Sequence, residues 1–107
     1  MTDQLAHARI RVAEIAQSIL DGKVRPLLGA RMLAGYVNPL KAEISLDAWK
    51  TVVGIASETD GMAIGSERQY WAPEPLREKD KRADDYEQRI AADLLRVAED
   101  LLHQFSK

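Results

Sequence analysis

Apolar residues recur along the amino-terminal segment at helical spacing. From Thr2 to Leu20, Leu5, Ala8, Val12, Ile15, Ala16 and Ile19 fall three or four positions apart, which places them on one stripe and predicts an amphipathic helix. Ile10 lies off that stripe. Thr2 or Asp3 supplies a cap at its start, and Asp21-Gly22 ends it, because glycine enters the left-handed region at little steric cost. Pro26 suits the first turn of a second helix, in which Leu28, Met32 and Leu33 are expected to face inward with Tyr36 at the edge. Gly29 and Gly35 each weaken that helix by about 1 kcal/mol relative to alanine, or permit close approach of a neighbouring backbone. Asn38-Pro39 stops it, since the residue before proline is disfavoured in helical geometry. A third helix begins at a Ser45 cap and carries a predicted stripe of Leu46, Trp49, Val52, Val53 and Ala56. The β-branched run Thr51 to Ala56 competes as a strand, but no second segment offers it a partner.

The last element is predicted from Pro75 to Phe105. Leu76, Ala83, Ile90 and Val97 stand seven apart, with Leu94, Leu101 and Phe105 beside them. Its first half, REKDKRADDYEQR, is almost wholly charged, and Glu78 with Arg82, Lys81 with Asp85 and Asp85 with Arg89 are spaced for pairing along an exposed helix. That half is expected to be a solvated extension or a projecting arm that docks a partner. Between the third and last helices, Ser57 to Pro75 forms the longest irregular stretch, punctuated by Gly61, Gly65, Pro73 and Pro75. The pattern predicts an all-α fold: four helices in a single domain over residues 1–107, the last much the longest, with a long ordered loop before it.

Composition narrows the function. Fifteen Lys+Arg against seventeen Asp+Glu leave a net charge of −2, which argues against a dedicated nucleic-acid binder. The chain has no cysteine, excluding disulfides, thiolate metal sites and cysteine nucleophiles. Its amino terminus has no apolar run of the length a leader or spanning helix needs, so no membrane association and a cytoplasmic location are expected. No phosphate-binding glycine loop, HExxH pair or EF-hand loop occurs, and no cofactor is expected. The two histidines, His7 and His103, lie near opposite chain ends and read as surface or edge residues. Antiparallel packing of the first and last helices is expected to hold them at opposite ends of the pair.

Chemical density is highest in SETDGMAIGSERQYW, Ser57 to Trp71. Glu58, Asp60, Glu67, Arg68 and Trp71 are the candidate binding residues. Paired carboxylates can hold a cation, or act as acid and base if burial separates their pKa values. The alternative is purely structural. Ser57 and Thr59 bond to local backbone, Asp60-Gly61 makes a turn, and Arg68 pairs with one of the acids. Trp71 reads either as a plug closing the core or as an anchor for a partner, and as a plug its loss costs about 3–5 kcal/mol.

Five short segments also resemble a group of small uncharacterised bacterial helical proteins, a domain of unknown function. They are Ile19-Leu20-Asp21-Gly22-Lys23-Val24, Gly29-Ala30-Arg31, the tetrad Ser57-Glu58-Thr59-Asp60, the turn Gly65-Ser66-Glu67-Arg68-Gln69-Tyr70-Trp71, and Leu76 with Lys79-Asp80. The resemblance covers roughly Ile15 to Asp80 and implies no activity. Where that group carries a more acidic or aromatic run before the tetrad, this chain has Val52-Val53-Gly54-Ile55-Ala56.

The reading that follows is a non-enzymatic protein-interaction module, of which an immunity or antitoxin protein is one form. The alternative is a small-molecule or metal-binding protein, or an enzyme, built on the acidic loop, which requires Glu58, Asp60, Glu67 and Arg68 to converge on one pocket. A homodimer paired through the long helix is a further expectation, resting on an apolar face larger than one domain needs.

Overall fold

Helix α1 (Thr2–Leu20) ends where the sequence predicts. Gly22 has φ +74°, and the N–H groups of Gly22 and Lys23 donate to the carbonyls of Ile19 and Ser18 at 3.2 and 2.9 Å. These are the two bonds of a Schellman ending, which turns the chain sharply toward the next helix. The computed structural model describes the backbone of residues 2–106 and the side chains of residues 4–106. The cap expected at Thr2 or Asp3 therefore lies outside the described side chains. Helices α2 (Pro26–Val37), α3 (Leu46–Glu58) and α4 (Pro73–Phe105) follow, with 3-10 turns at Thr59–Gly61 and Ser66–Tyr70. The fold is all-α, as expected.

Helices α1 and α4 run antiparallel. Arg9 near the start of α1 and Gln104 at the end of α4 both reach Glu43, whereas Arg25, just beyond α1, reaches Asp84 and Glu87 of α4. His7 and His103 consequently sit at the same end of the molecule rather than at opposite ends, because antiparallel packing sets the start of one helix beside the finish of the other. Val12, Ile15, Leu33, Val52, Val97 and Leu101 belong to the larger apolar core. A smaller second core joins Leu27 and Ala30 of α2, Ile55 of α3, Ile64 of the connecting segment, and Ala83 and Leu94 of α4.

Helix α2 buries Leu33 and keeps Tyr36 at the edge as predicted, but the rest of its inner arc is shifted. Leu27, Gly29, Ala30, Leu33 and Val37 are inside, Leu28 is half-buried and Met32 is 37% exposed. The helix touches α1, α3 and α4 at once, and such enclosure favours small residues on the faces where backbones approach. A Cβ built on Gly29 would overlap Cγ1 of buried Ile19 and lie 2.6 Å from its Cδ1. Nothing lies within 4 Å of the equivalent position on Gly35. Asn38 keeps helical dihedrals (φ −59°, ψ −48°) despite preceding proline, and the break falls at Pro39, which has no N–H to continue the ladder.

The Ser45 cap forms as predicted, its Oγ accepting from the Ala48 N–H at 3.0 Å. The buried face of α3 is Ala48, Val52 and Ile55, rotated from the expected stripe, and Leu46 is 59% exposed. Trp49 and Val53 are half-buried on the flank toward α2, where the Trp49 indole N–H donates to Asn38 Oδ1 at 3.0 Å. Small Ala48 on the inner line lets α3 approach, and the bulky indole is displaced to the side.

At 33 residues, α4 is about 50 Å long and sets the 46 Å long axis of the molecule. Its charged first half is not a free extension. None of the three expected pairs along the helix is among the described ion pairs. Asp80 instead meets Arg68, and Asp84 and Glu87 meet Arg25. Glu87 also accepts the Leu27 N–H at 3.1 Å, serving the open amino terminus of α2 from another helix. The apolar stripe of α4 turns inward, and Leu95, at 37%, is its one large apolar side chain exposed among the described residues.

Two glycine substitutions test this packing. Gly29→Ala is expected to destabilise by about 1–3 kcal/mol through overpacking against Ile19. Gly35→Ala should stabilise by about 0.5–1 kcal/mol because its site is open and helical. Chemical denaturation of both variants measures the contrast, and similar shifts in the same direction would contradict the close approach of α1 and α2.

Candidate functional site

The segment predicted as the ordered loop Ser57 to Pro75 is shorter than expected and contains regular turns. Helix α3 continues through Glu58 and α4 starts at Pro73, leaving residues 59–72 as a strap with two 3-10 turns. Its apolar residues Ala63 and Ile64 are 2% and 6% exposed, so the strap covers the second core with small and medium side chains.

Three cations hold the strap. Arg31, the sole charged residue of α2, uses every nitrogen of its guanidinium. Its Nε donates to Thr59 Oγ1 at 3.1 Å, Nη2 to the Thr59 carbonyl at 2.7 Å and Nη1 to Glu67 Oε1 at 2.8 Å. Thr59 is the one fully buried polar side chain among the described residues, and its hydroxyl donates in turn to the Ala56 carbonyl at 2.6 Å. Gly65 makes room for this junction, since a Cβ there would stand 2.8 Å from Glu67 Oε2 and 3.2 Å from Arg31 Nη1. The Arg31 guanidinium, helped by the backbone N–H groups of Glu67 and Gly65, draws the Glu67 carboxyl from 4.5 down to about 2.

Arg68 makes the second tie. Its Nη1 donates to the Ala63 carbonyl at 2.9 Å and to Asp80, whose other oxygen accepts from Nη2 at 3.2 Å. This forked contact is the main cause holding the Asp80 carboxyl below its ordinary value. Lys79 makes the third: its ammonium donates to the Gly61 carbonyl at 2.9 Å and stands 4.1 Å from the Trp71 ring centroid.

The five candidate binding residues are thus dispersed. Glu67 and Arg68, adjacent in sequence, address different partners on different helices. Asp60 is exposed and, with Arg31, lines an open cleft of about 250 Å³ between Ala34 of α2, Asn38 just beyond that helix, and Val53 and Ser57 of α3. Glu58 is exposed at the end of α3, where its charge adds to burial in raising the Tyr86 phenol. Trp71 does not plug the core. It is 43% exposed, and its neighbour Tyr70 is 82% exposed. No group of three or more acidic or histidine side chains is placed to hold a metal among the described residues. His7 packs edge-on against Tyr36 at 6.1 Å, and His103 lies about 35 Å along α4 from Asp80, so neither serves the strap.

Arg31, Thr59, Lys79 and Asp80 complete the arrangement and were not among the candidates. A lone arginine in an otherwise uncharged twelve-residue helix was the available signal, because an isolated charge on an apolar helix needs a partner from elsewhere. No family model, curated protein or solved structure matches this chain.

Glu67 gives a pH prediction. Its folded pKa is depressed, so its stabilising contribution is present above about pH 4.5 and is lost as pH falls toward about 2. Glu67→Gln should therefore be less stable than the native chain at neutral pH, and the difference should vanish at the acid end. Denaturation midpoints across that range measure it; a constant gap at all pH values would contradict the pairing. Arg31→Met, which strips the buried Thr59 junction of its donors, is expected to cost about 1–3 kcal/mol at neutral pH in the same assay.

Proposed function

We propose that the protein is a non-enzymatic protein-interaction module whose recognition surface is the corner formed by Tyr70 and Trp71. The observation that carries this reading is the outward placement of two adjacent aromatics in a chain with only 6% aromatic residues, while Ala63 and Ile64 occupy the core beneath. Aromatic side chains bury large area at small entropic cost and dominate binding hot spots. The three cationic ties hold this corner at the start of α4, so little ordering is left to a binding event.

The partner is a protein in this reading, since a net charge of −2 offers no field for a polyanion. An inhibitor of the immunity or antitoxin kind, acting in a bacterial cytoplasm, is its more specific form. Size and slight acidity support that form. The ligand-binding alternative has less support, because of Glu58, Asp60, Glu67 and Arg68 only Asp60 lines the cleft, and Glu67 and Arg68 are engaged separately.

A Tyr70→Ala/Trp71→Ala double variant tests the proposal. Its stability should stay within about 1 kcal/mol of the native chain, as befits exposed positions. A partner recovered by affinity capture with the native chain should bind the variant at least about tenfold more weakly. Equal recovery by both chains would overturn the assignment, and a loss of about 3–5 kcal/mol of stability would return Trp71 to the core.

A further inference from the structure

We propose that residues 59–82, the strap together with the first turns of α4, form a separately opening unit whose closure over the second core is governed by ionic strength. Three observations converge on this unit. The first concerns the backbone. Within the strap, Met62 donates to Thr59, Arg68 to Gly65 and Trp71 to Arg68, all local bonds, and among the described residues no backbone hydrogen bond joins it to α1 or α2. Its link to α4 is the Ala72–Leu76 bond that starts the helix.

The second concerns packing. No residue from 59 to 82 belongs to the larger core, and from 73 to 82 no side chain is buried. Apolar attachment rests on Met62, Ala63 and Ile64, over Leu27, Ala30 and Ile55. Lifting the unit therefore uncovers the second core and leaves the α1–α4 seam intact. Cooperative units of this kind open below the global unfolding free energy when few apolar contacts hold them.

The third concerns the ties themselves. The Arg31–Glu67 side chains are 31% and 36% exposed and the Arg68–Asp80 side chains 39% and 37%, so both pairs meet solvent and are open to screening. The unit has three polar ties over the small apolar contact of Met62, Ala63 and Ile64, whereas the α1–α4 seam is apolar along Val12, Ile15, Val97 and Leu101. Salt distinguishes the two.

Native-state hydrogen exchange of the full chain is the test, followed residue by residue while sodium chloride is raised from about 0.05 to about 1 M. The amides of Met62, Arg68 and Trp71 and those of the first α4 turns should exchange faster than those of Val12, Ile15, Val97 and Leu101. Their exchange should accelerate severalfold with salt while the α1–α4 amides do not follow. Asp80→Asn, an exposed-side substitution that leaves both cores untouched, should speed exchange across 59–82 by up to about fivefold in low salt and flatten the salt response. Exchange of 59–82 at the same rate as the α1–α4 seam, or an equal salt response along the whole chain, would overturn the proposal. So would an Asp80→Asn variant with an undiminished salt response.

Discussion

A 33-residue helix packed against a 19-residue partner leaves an overhang of about 20 Å, and this mismatch between α4 and α1 organises the rest of the molecule. The carboxy-terminal half of α4 has an apolar seam in which Val97, Ala98 and Leu101 lie on the main core and Leu94 on the second. The overhang has Ala83 as its one fully buried side chain. A methyl group lets the helix come close but supplies little burial energy. What holds the overhang is therefore polar: Arg25 to Asp84 and Glu87, Arg68 to Asp80, and Lys79 to the Gly61 carbonyl.

The polar ties in turn shape the strap. Arg31 reaches out of α2 to the carbonyl of Thr59 just past the end of α3, where the helix dipole favours a cation, and it satisfies the buried Thr59 hydroxyl at the same time. Among the described residues no buried side-chain polar atom lacks a partner. With the ends of the strap fixed, Ala63 and Ile64 fall over Leu27, Ala30 and Ile55, and those places in the core are filled. Tyr70 and Trp71 have no seat left inside. Their exposure thus follows from local geometry as well as from composition.

The slight net charge conceals how the charges are used. Arginines 9, 25, 31, 68 and 96 each meet a carboxylate on a different element of the chain, and among the described residues only Arg11 with Glu14 is a pair within one helix. Charge in this protein acts mainly as cross-bracing between helices. The acidic loop residues that invite a catalytic or metal-binding reading are largely drawn into that bracing or left apart on the surface. The aromatic corner is what remains directed outward.

Helix number, order and class were legible in the residues themselves. The three- and four-residue spacing of Val12, Ile15 and Ile19, the Ser45 cap and Gly22 at the end of α1 are local features, decided by dihedral preference and one-sided burial. Which arc of α2 and α3 faces inward was not legible. Leu27 replaced Leu28 on the inner face because contacts with three other helices fix the rotation of α2, and Ala48 replaced Leu46 because close approach selects a small side chain. The pairing of charges was equally beyond local spacing. Glu78 with Arg82 satisfies the rule for a lone helix, whereas Asp80 finds Arg68 only after the strap has folded back across the second core. The sequence by itself determined four helices, the Ser45 cap, the Gly22 ending and a charged amino-terminal half of α4. Tertiary structure alone decided that Arg31 meets Glu67 and that Trp71 stays outside, because both depend on contacts between segments that share no local register.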